Sequence, residues 1–171
     1  MKNYLYNSSM KKILVIFIFL LVCTTVQAEV LQAGVSIEDV PKTVFGTWRV
    51  NAKLDQTNSY QTFKPQSVDF WELTRVGDKI TLNNPYSGAN AEISINAVEG
   101  NLIVFSKKLP YSNNKVLTDT VNIRIDGNHF SGVNSLKLES FSLLDNHLMK
   151  TETAQYLIVG EKISGESILT E

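Results

Sequence analysis

Cysteine and histidine are scarce in this sequence, which has one cysteine and two histidines among 171 residues. Cys23 falls in an apolar run near the N-terminus, so the chain beyond it has no disulfide and no thiolate for catalysis or metal binding. His129 and His147 each lie beside an expected turn, at opposite ends of the predicted fold, and therefore do not share a metal ion. We predict no metal site and no cofactor.

Motifs that mark common enzymes are also missing, since no glycine-rich phosphate loop and no nucleophile elbow is present. Asp119 and Glu139 lie on neighbouring predicted strands, and paired carboxylates can do acid–base chemistry. Arg124 and Lys137 lie nearby, which favours solvated ion pairs on the surface instead. We predict no catalytic residue and expect that the protein is not an enzyme.

The only long apolar run is Ile13–Cys23. It has 11 residues, whereas a membrane-spanning helix needs about 20. The Lys11-Lys12 pair precedes it, and small residues at the −3 and −1 positions of a cleavage site follow it, which is the pattern of a secretory signal peptide. We predict that residues 1–28 are removed by cleavage between Ala28 and Glu29, and that no transmembrane anchor remains.

Two details of this leader affect localisation. Lipid attachment at Cys23 is not expected, because Val22 precedes it where a small residue is required. Met10 is an alternative start to Met1, since Met10-Lys11-Lys12 is a good beginning for a signal peptide. Export places the protein in the periplasm or in the medium, and the sequence does not choose between them.

The mature chain has 143 residues, with 13 basic against 17 acidic, a balance of −4. This length suits one domain that buries about two-thirds of its unfolded surface. A mildly acidic chain without a basic cluster argues against a nucleic-acid partner. Ser36–Val40 is compatible with one helical turn that Pro41 ends. We divide the chain into an N-terminal extension (29–43), a β domain (44–163) and a polar tail (164–171).

From residue 44 onward the pattern is that of β-strands. Val121, Ile123 and Ile125 alternate with polar residues, and the same period recurs over residues 92–97. A period of two marks strands with one buried and one wet face. The eight predicted strands are Phe45–Leu54, Val68–Arg75, Lys79–Leu82, Glu92–Val98, Leu102–Ser106, Val116–Ile125, His129–Leu143 and Met149–Glu161.

The connections between these strands alternate between long and tight. In an up-and-down antiparallel sheet, odd-numbered connections lie at one end and even-numbered ones at the other. Hairpin connections favour a closed eight-stranded up-and-down barrel, which removes exposed edges, over the alternative of a β-sandwich. The long connections are Asp55–Gln66, Asn83–Ala89 and Lys107–Asn114, and the tight ones are Val76–Asp78, Glu99–Asn101 and Asp126–Asn128.

The first predicted strand opens with a glycine and a tryptophan two residues apart, Gly46 and Trp48. This opening, after a short helical turn, resembles that of the lipocalins and the wider calycin superfamily. The resemblance implies an eight-stranded antiparallel barrel with a ligand cavity, in which Trp48 plugs the closed end and Gly46 lets the N-terminal segment cross beneath it. It also implies an arginine stacked on the tryptophan, and Lys162 is the nearest basic candidate.

Aromatic residues mark the predicted long connections. Tyr60 and Phe63 lie in the first, Tyr86 in the second and Tyr111 in the third. With Trp71 pointing inward from the second strand, they would ring one end of the barrel and bind a ligand through apolar contact with a polar tip. The alternative is that they pin loops and fill the core. We predict a barrel that binds an apolar or amphipathic small molecule.

A second interpretation belongs to a different class of function. Leu102–Phe105 and Tyr156–Val159 are apolar on both faces, although a barrel buries only one. The outer face there could be covered by the N-terminal segment, the tail or another subunit. With a solid core, the protein would be an interaction or envelope-assembly module with a protein partner, or a homodimer.

Overall fold

A computed structural model describes residues 35–165 of the chain. The predicted signal peptide, the cleavage between Ala28 and Glu29, Cys23 and the tail beyond Gly165 lie outside these residues and stay predictions. Over residues 35–165, none of the helical segments is long and apolar enough to cross a membrane.

Eight antiparallel strands form one closed barrel in sequence order. Each strand pairs with the next along the chain, and β8 returns to pair with β1. This ring confirms the predicted up-and-down barrel and excludes the β-sandwich, because every described strand has a partner on both sides. The strands are β1 Gly46–Thr57, β2 Gln66–Val76, β3 Lys79–Asn83, β4 Asn90–Glu99, β5 Leu102–Ser112, β6 Lys115–Asp126, β7 His129–Phe141 and β8 Leu148–Ser164.

Three two-residue connections lie at one end of the barrel, which we name the turn end: 77–78, 100–101 and 127–128. Each begins with a glycine at positive φ, 62° at Gly77, 60° at Gly100 and 56° at Gly127. Tight hairpin turns need this backbone conformation, and glycine adopts it without steric cost. The predicted tight connections are confirmed.

The opposite end, which we name the loop end, has longer connections at 58–65, 84–89 and 142–147. The predicted long connection Lys107–Asn114 is wrong, because β5 continues to Ser112 and only residues 113–114 join it to β6. Its two lysines and its proline are typical of a loop. Pro110 is tolerated because it lies beside a register shift in the ladder with β6. Tyr111 therefore lies on a strand.

Two short 3-10 turns precede β1, at Ile37–Asp39 and Lys42–Val44. The first confirms the predicted helical turn, and Val40 is extended before Pro41, as a residue preceding proline should be. Val40 and Val44 are buried in the hydrophobic core. The segment is thus anchored by two apolar contacts before the barrel begins.

Trp48 fills the turn end of the barrel and is 1% exposed. Its Nε1 donates a hydrogen bond to the Val44 carbonyl at 2.8 Å, and its ring packs on Phe130 at 5.1 Å between centroids. The Lys162 Nζ lies 5.1 Å from the centre of the indole ring and donates to the Thr43 carbonyl at 2.6 Å. Lys162, the nearest basic candidate for a residue stacked on Trp48, thus lies over the indole ring.

Gly46 is the position where the chain crosses closest to the end of β8. Its φ is 121°, and a Cβ added there would lie 2.2 Å from the Ser164 carbonyl oxygen and 2.8 Å from the Gly165 Cα. Both conditions exclude any residue with a side chain unless the backbone moves. This close crossing is what the Gly46 and Trp48 opening makes possible.

The half of the interior next to the turn end is a solid apolar core. Trp71 joins Trp48 there by stacking on Phe130 at 5.8 Å and meeting Phe105 edge-on at 6.2 Å. The smaller side chains around them are almost fully buried, as is typical of a packed protein interior. These side chains are Val50, Leu73, Ile80, Ile103, Val121, Ile123 and Ile158.

Replacing Gly46 by alanine should lower the free energy of unfolding by about 3 kcal/mol or more, because its Cβ has no room at a strained φ. Gly77→Ala is the matched control. It also has a positive φ, but nothing lies within 4 Å of its Cβ, so only the left-handed backbone cost of about 1 kcal/mol applies. Urea unfolding followed by circular dichroism measures both, and equal losses would contradict the crowding argument.

Candidate functional site

The barrel interior changes character toward the loop end. A cavity of about 220 Å³, which we name the inner cavity, lies there between the strands. Ser67 at its edge is exposed, so the cavity reaches the surface beside β2. Trp71 and aliphatic side chains of β1, β6, β7 and β8 form its apolar wall. Its polar wall consists of Ser67, Asp69, Lys107, Asp119, Asn134 and Tyr156.

Lys107 and Asp119 form an ion pair in this wall, with Nζ and Oδ2 3.3 Å apart. Their side chains are only 19% and 13% exposed. The Asn134 amide, in a residue that is 9% exposed, also donates a hydrogen bond to the Asp119 carboxylate. A partly buried pair with a neutral third partner is screened less by water than a surface pair.

The position of Asp119 corrects the sequence interpretation, which placed Asp119 and Glu139 together as solvated surface groups. Asp119 pairs across the ladder with Leu136, and its side chain faces inward. Glu139 forms an ion pair with Lys137 at 3.0 Å, and neither lines the inner cavity. The two carboxylates therefore point to opposite faces of the barrel wall and do not form an acid–base pair.

Asp69 is the second carboxylate of the inner cavity. It accepts hydrogen bonds from its neighbour Phe70 N–H at 2.9 Å and from Trp71 Nε1 at 3.2 Å. The Asn84 side-chain amide, from the loop between β3 and β4, donates to the same carboxylate. Asp69 thus holds the indole of Trp71 in place and ties a loop to the cavity wall.

Trp71 and Tyr156 are the aromatic residues of the cavity wall, and they are 7% and 6% exposed. The Tyr156 hydroxyl donates to the Lys64 carbonyl at 2.9 Å, which pins the loop between β1 and β2. Burial raises the pKa of the Tyr156 hydroxyl, so the group stays a neutral phenol at neutral pH. Its oxygen can still accept a hydrogen bond.

The structure brings only one of the five predicted ligand-binding aromatics, Trp71, to the inner cavity. Tyr60, Tyr86 and Tyr111 are 77%, 78% and 62% exposed, and Tyr86 packs on Phe70 at 4.5 Å between centroids. Phe63 is 7% exposed and belongs to the hydrophobic core. The four loop-end aromatics therefore do not assemble into one ring around the cavity.

Strand phase is the signal that would have revealed the polar wall. Asp119 is in phase with Val121, Ile123 and Ile125, and Asp69 is in phase with Trp71. Because residues two apart on a strand share a face, a charged residue in an otherwise apolar phase points inward. Lys107 continues the inward phase of β5 in the same way, although the predicted connection Lys107–Asn114 includes it.

Glu152 holds the loop between β1 and β2 against the end of β8. It is 4% exposed and accepts hydrogen bonds from the Ser59 and Thr62 hydroxyls at 2.5 and 2.8 Å. The Lys150 ammonium lies 2.9 Å away. The bond from Ser59, followed by those from Lys150 and Thr62, lowers the pKa of Glu152 to about 2. The loop thus depends on an ionised carboxylate.

The outer surface carries an apolar groove across β8, β1 and β2. Val68, Leu157 and Val159 line it and are 63%, 51% and 54% exposed. Leu157 and Val159 are the outward residues of the predicted doubly apolar segment, and over residues 35–165 nothing buries them. His129 and His147 lie at opposite ends of β7 and its following loop, as predicted. Among the described residues, no three potential ligands cluster around a metal position.

Glu152→Gln should destabilise the protein at neutral pH, because an amide cannot replace the ionised acceptor of Ser59, Thr62 and Lys150. The folded pKa of about 2 lies below the ordinary value of 4.5. The contribution of Glu152 is therefore fully present above pH 4.5 and is lost as the pH falls toward 2. Urea midpoints of both proteins from pH 7 to pH 2 should converge on acidification. A constant difference across this range would contradict the argument.

Lys107→Met should destabilise the fold by about 2 kcal/mol, because it leaves Asp119 half-buried without its cation. Adding Asp119→Asn should recover part of the loss, which gives a coupling of about 1 kcal/mol in a double-mutant cycle. The exposed pair of Lys79 and Glu92, 3.0 Å apart, is the control and should show no measurable coupling. Additive effects at Lys107 and Asp119 would show that they do not interact inside the barrel.

Comparison with known proteins adds no relative: no protein-family model, no curated protein and no solved structure matches this chain significantly. The structure shows a closed eight-stranded antiparallel barrel, which is consistent with a lipocalin-like barrel, and no comparison assigns the chain to that superfamily. A fold of this kind is compatible with small-molecule binding, but a fold alone does not assign a function.

Proposed function

We propose that this protein is an exported, non-enzymatic β-barrel that binds a small amphipathic molecule in the inner cavity. The observation that supports this proposal is the mixed wall of that cavity, with the Trp71 indole on one side and Lys107, Asp119 and Asn134 on another. Ligand sites are typically apolar with a few convergent polar groups that fix orientation. Export through residues 1–28 is part of the proposal.

The volume of the cavity limits the ligand. Drug-sized ligands occupy pockets of about 300–1,000 Å³, whereas the inner cavity has about 220 Å³. At about 30 Å³ per water molecule, this space corresponds to roughly seven waters. A molecule with one ring or a short branched chain and a polar group fits. A long-chain fatty acid, a retinoid or a haem is too large to be enclosed in this volume.

A second candidate function is supported by the apolar groove of Val68, Leu157 and Val159. Three large apolar side chains that are each more than half exposed are unusual on one face of a barrel wall. A protein partner, or a second copy of this chain, would remove them from water. This interaction function does not compete for the inner cavity, because the groove lies on the outer face of β1, β2 and β8.

The inner-cavity proposal is tested with the two tryptophans as separate reporters. Trp48→Phe leaves Trp71 in the cavity wall, and Trp71→Phe leaves Trp48 in the closed end. Titration with one-ring amphipathic solutes, followed by fluorescence and by NMR of the indole N–H, should shift the Trp71 signal and leave the Trp48 signal unchanged. Binding should be saturable and of one-to-one stoichiometry.

Ala52→Leu provides the control for position. Ala52 lines the inner cavity, so a larger side chain there should fill the space. The free energy of unfolding should fall by about 3 kcal/mol or less. The substitution should weaken binding by about tenfold or more. If no solute shifts Trp71 at millimolar concentration, or if Ala52→Leu binds as well as the unaltered protein, the proposal fails.

A further inference from the structure

We infer that the ligand of the inner cavity is a small organic cation, such as a primary amine attached to one ring. This inference rests on the proposed function and specifies the chemistry of that same site. Its basis is the charge of the polar wall, which contains the carboxylates of Asp69 and Asp119 but one ammonium, that of Lys107. Counted as formal charges, the wall carries an excess of one negative charge.

The two carboxylates differ in their partners. Asp119 has the Lys107 ammonium 3.3 Å away and an amide from Asn134. Asp69 accepts only from neutral donors, namely a backbone N–H, the Trp71 indole and the Asn84 amide. Among residues 35–165, no ion pair is made by Asp69. The uncompensated charge therefore belongs to Asp69.

Acceptor positions remain for a ligand. An ionised carboxylate has about four lone-pair sites that can accept a hydrogen bond. Three donors occupy three of these sites on Asp69, so about one site remains. The neutral oxygen of the Tyr156 hydroxyl, which also lines the cavity, is a further acceptor. An ammonium group offers up to three donors for these sites, and its positive charge would balance Asp69 in a partly enclosed space.

The rest of the ligand would contact the apolar wall. The Trp71 indole donates a hydrogen bond to Asp69. An ammonium group bound to Asp69 would therefore place the attached part of the ligand beside this aromatic ring. Leu136 and Ile158 continue that wall on β7 and β8. A ring of ordinary size satisfies both the apolar contact and the limit of about 220 Å³. A bare metal ion or a free ammonium ion would leave this wall unused.

An anionic ligand fits the same wall poorly. Its only cationic partner among the lining residues would be Lys107, which is already paired with Asp119. The ligand carboxylate would also share the cavity with two other carboxylates, and like charges at short range repel strongly where water is scarce. A neutral ligand would leave the charge of Asp69 without compensation. The cation is therefore the class that the charges favour.

The experiment compares benzylamine, benzyl alcohol and benzoate, which share a ring and differ in the charge of one group. Calorimetric titration at pH 7 and low salt should give binding of benzylamine about tenfold or more tighter than that of either analogue. Asp69→Asn should weaken benzylamine binding by about tenfold and should remove most of the preference for benzylamine over benzyl alcohol. Asp126→Asn, an exposed acid at the turn end, is the matched control and should change neither.

Lys107→Met keeps the inference testable if Asp69→Asn fails to fold. It removes the only ammonium of the wall, so benzylamine should bind at least as tightly as before. If benzoate binds more tightly than benzylamine, and Lys107→Met abolishes this binding, the inference of a cationic ligand is wrong although the protein still binds a small molecule. Equal binding of all three compounds would contradict the inference in the same way. If none of the three compounds binds, and the unaltered protein and Ala52→Leu give the same titration signal, the inference of a cationic ligand and the proposed function both fail.

Discussion

The pairing of β8 with β1 is the constraint on which the rest of this structure depends. It closes the sheet, so each strand has a backbone partner on both sides and an inner face that is set by residue parity. Eight strands enclose a space just wide enough for packed side chains or one small ligand. Closure also requires the chain to cross the end of β8 at Gly46, where a Cβ would collide with Ser164.

The interior is divided by residue size and polarity along the strands. Four aromatic rings interlock near the turn end, and Gly160 makes room for one of them, since a Cβ there would lie 2.1 Å from the Phe130 ring. Toward the loop end, the small side chain of Ala52 faces Asp69, Lys107 and Asp119 around the inner cavity. Large rings thus pack one half, while short and polar side chains leave space in the other.

Much of this fold was predictable because its signals are local. Period-two runs gave eight strands, glycine in the three tight connections gave the hairpins, and the Gly46 and Trp48 opening indicated the plugged end. The candidate site was less predictable. The sequence does not distinguish exposed tyrosines, such as Tyr60 and Tyr86, from tyrosines that line a ligand site. Pro110 follows Lys107 closely and is typical of a loop, although both residues lie on β5.

The sequence by itself determined the strand order and the buried face of each strand, since hairpin connections and residue parity follow from the conformational limits of neighbouring residues, and the resemblance of the Gly46 and Trp48 opening implied the crossing. Only the tertiary structure decided that Asp69 meets Lys107 and Asp119 around a cavity, because Asp69 on β2 is distant in the chain from these two residues, which face each other across the β5–β6 ladder. Parity says that a side chain points inward, but the register and curvature of the closed sheet decide which side chains meet there.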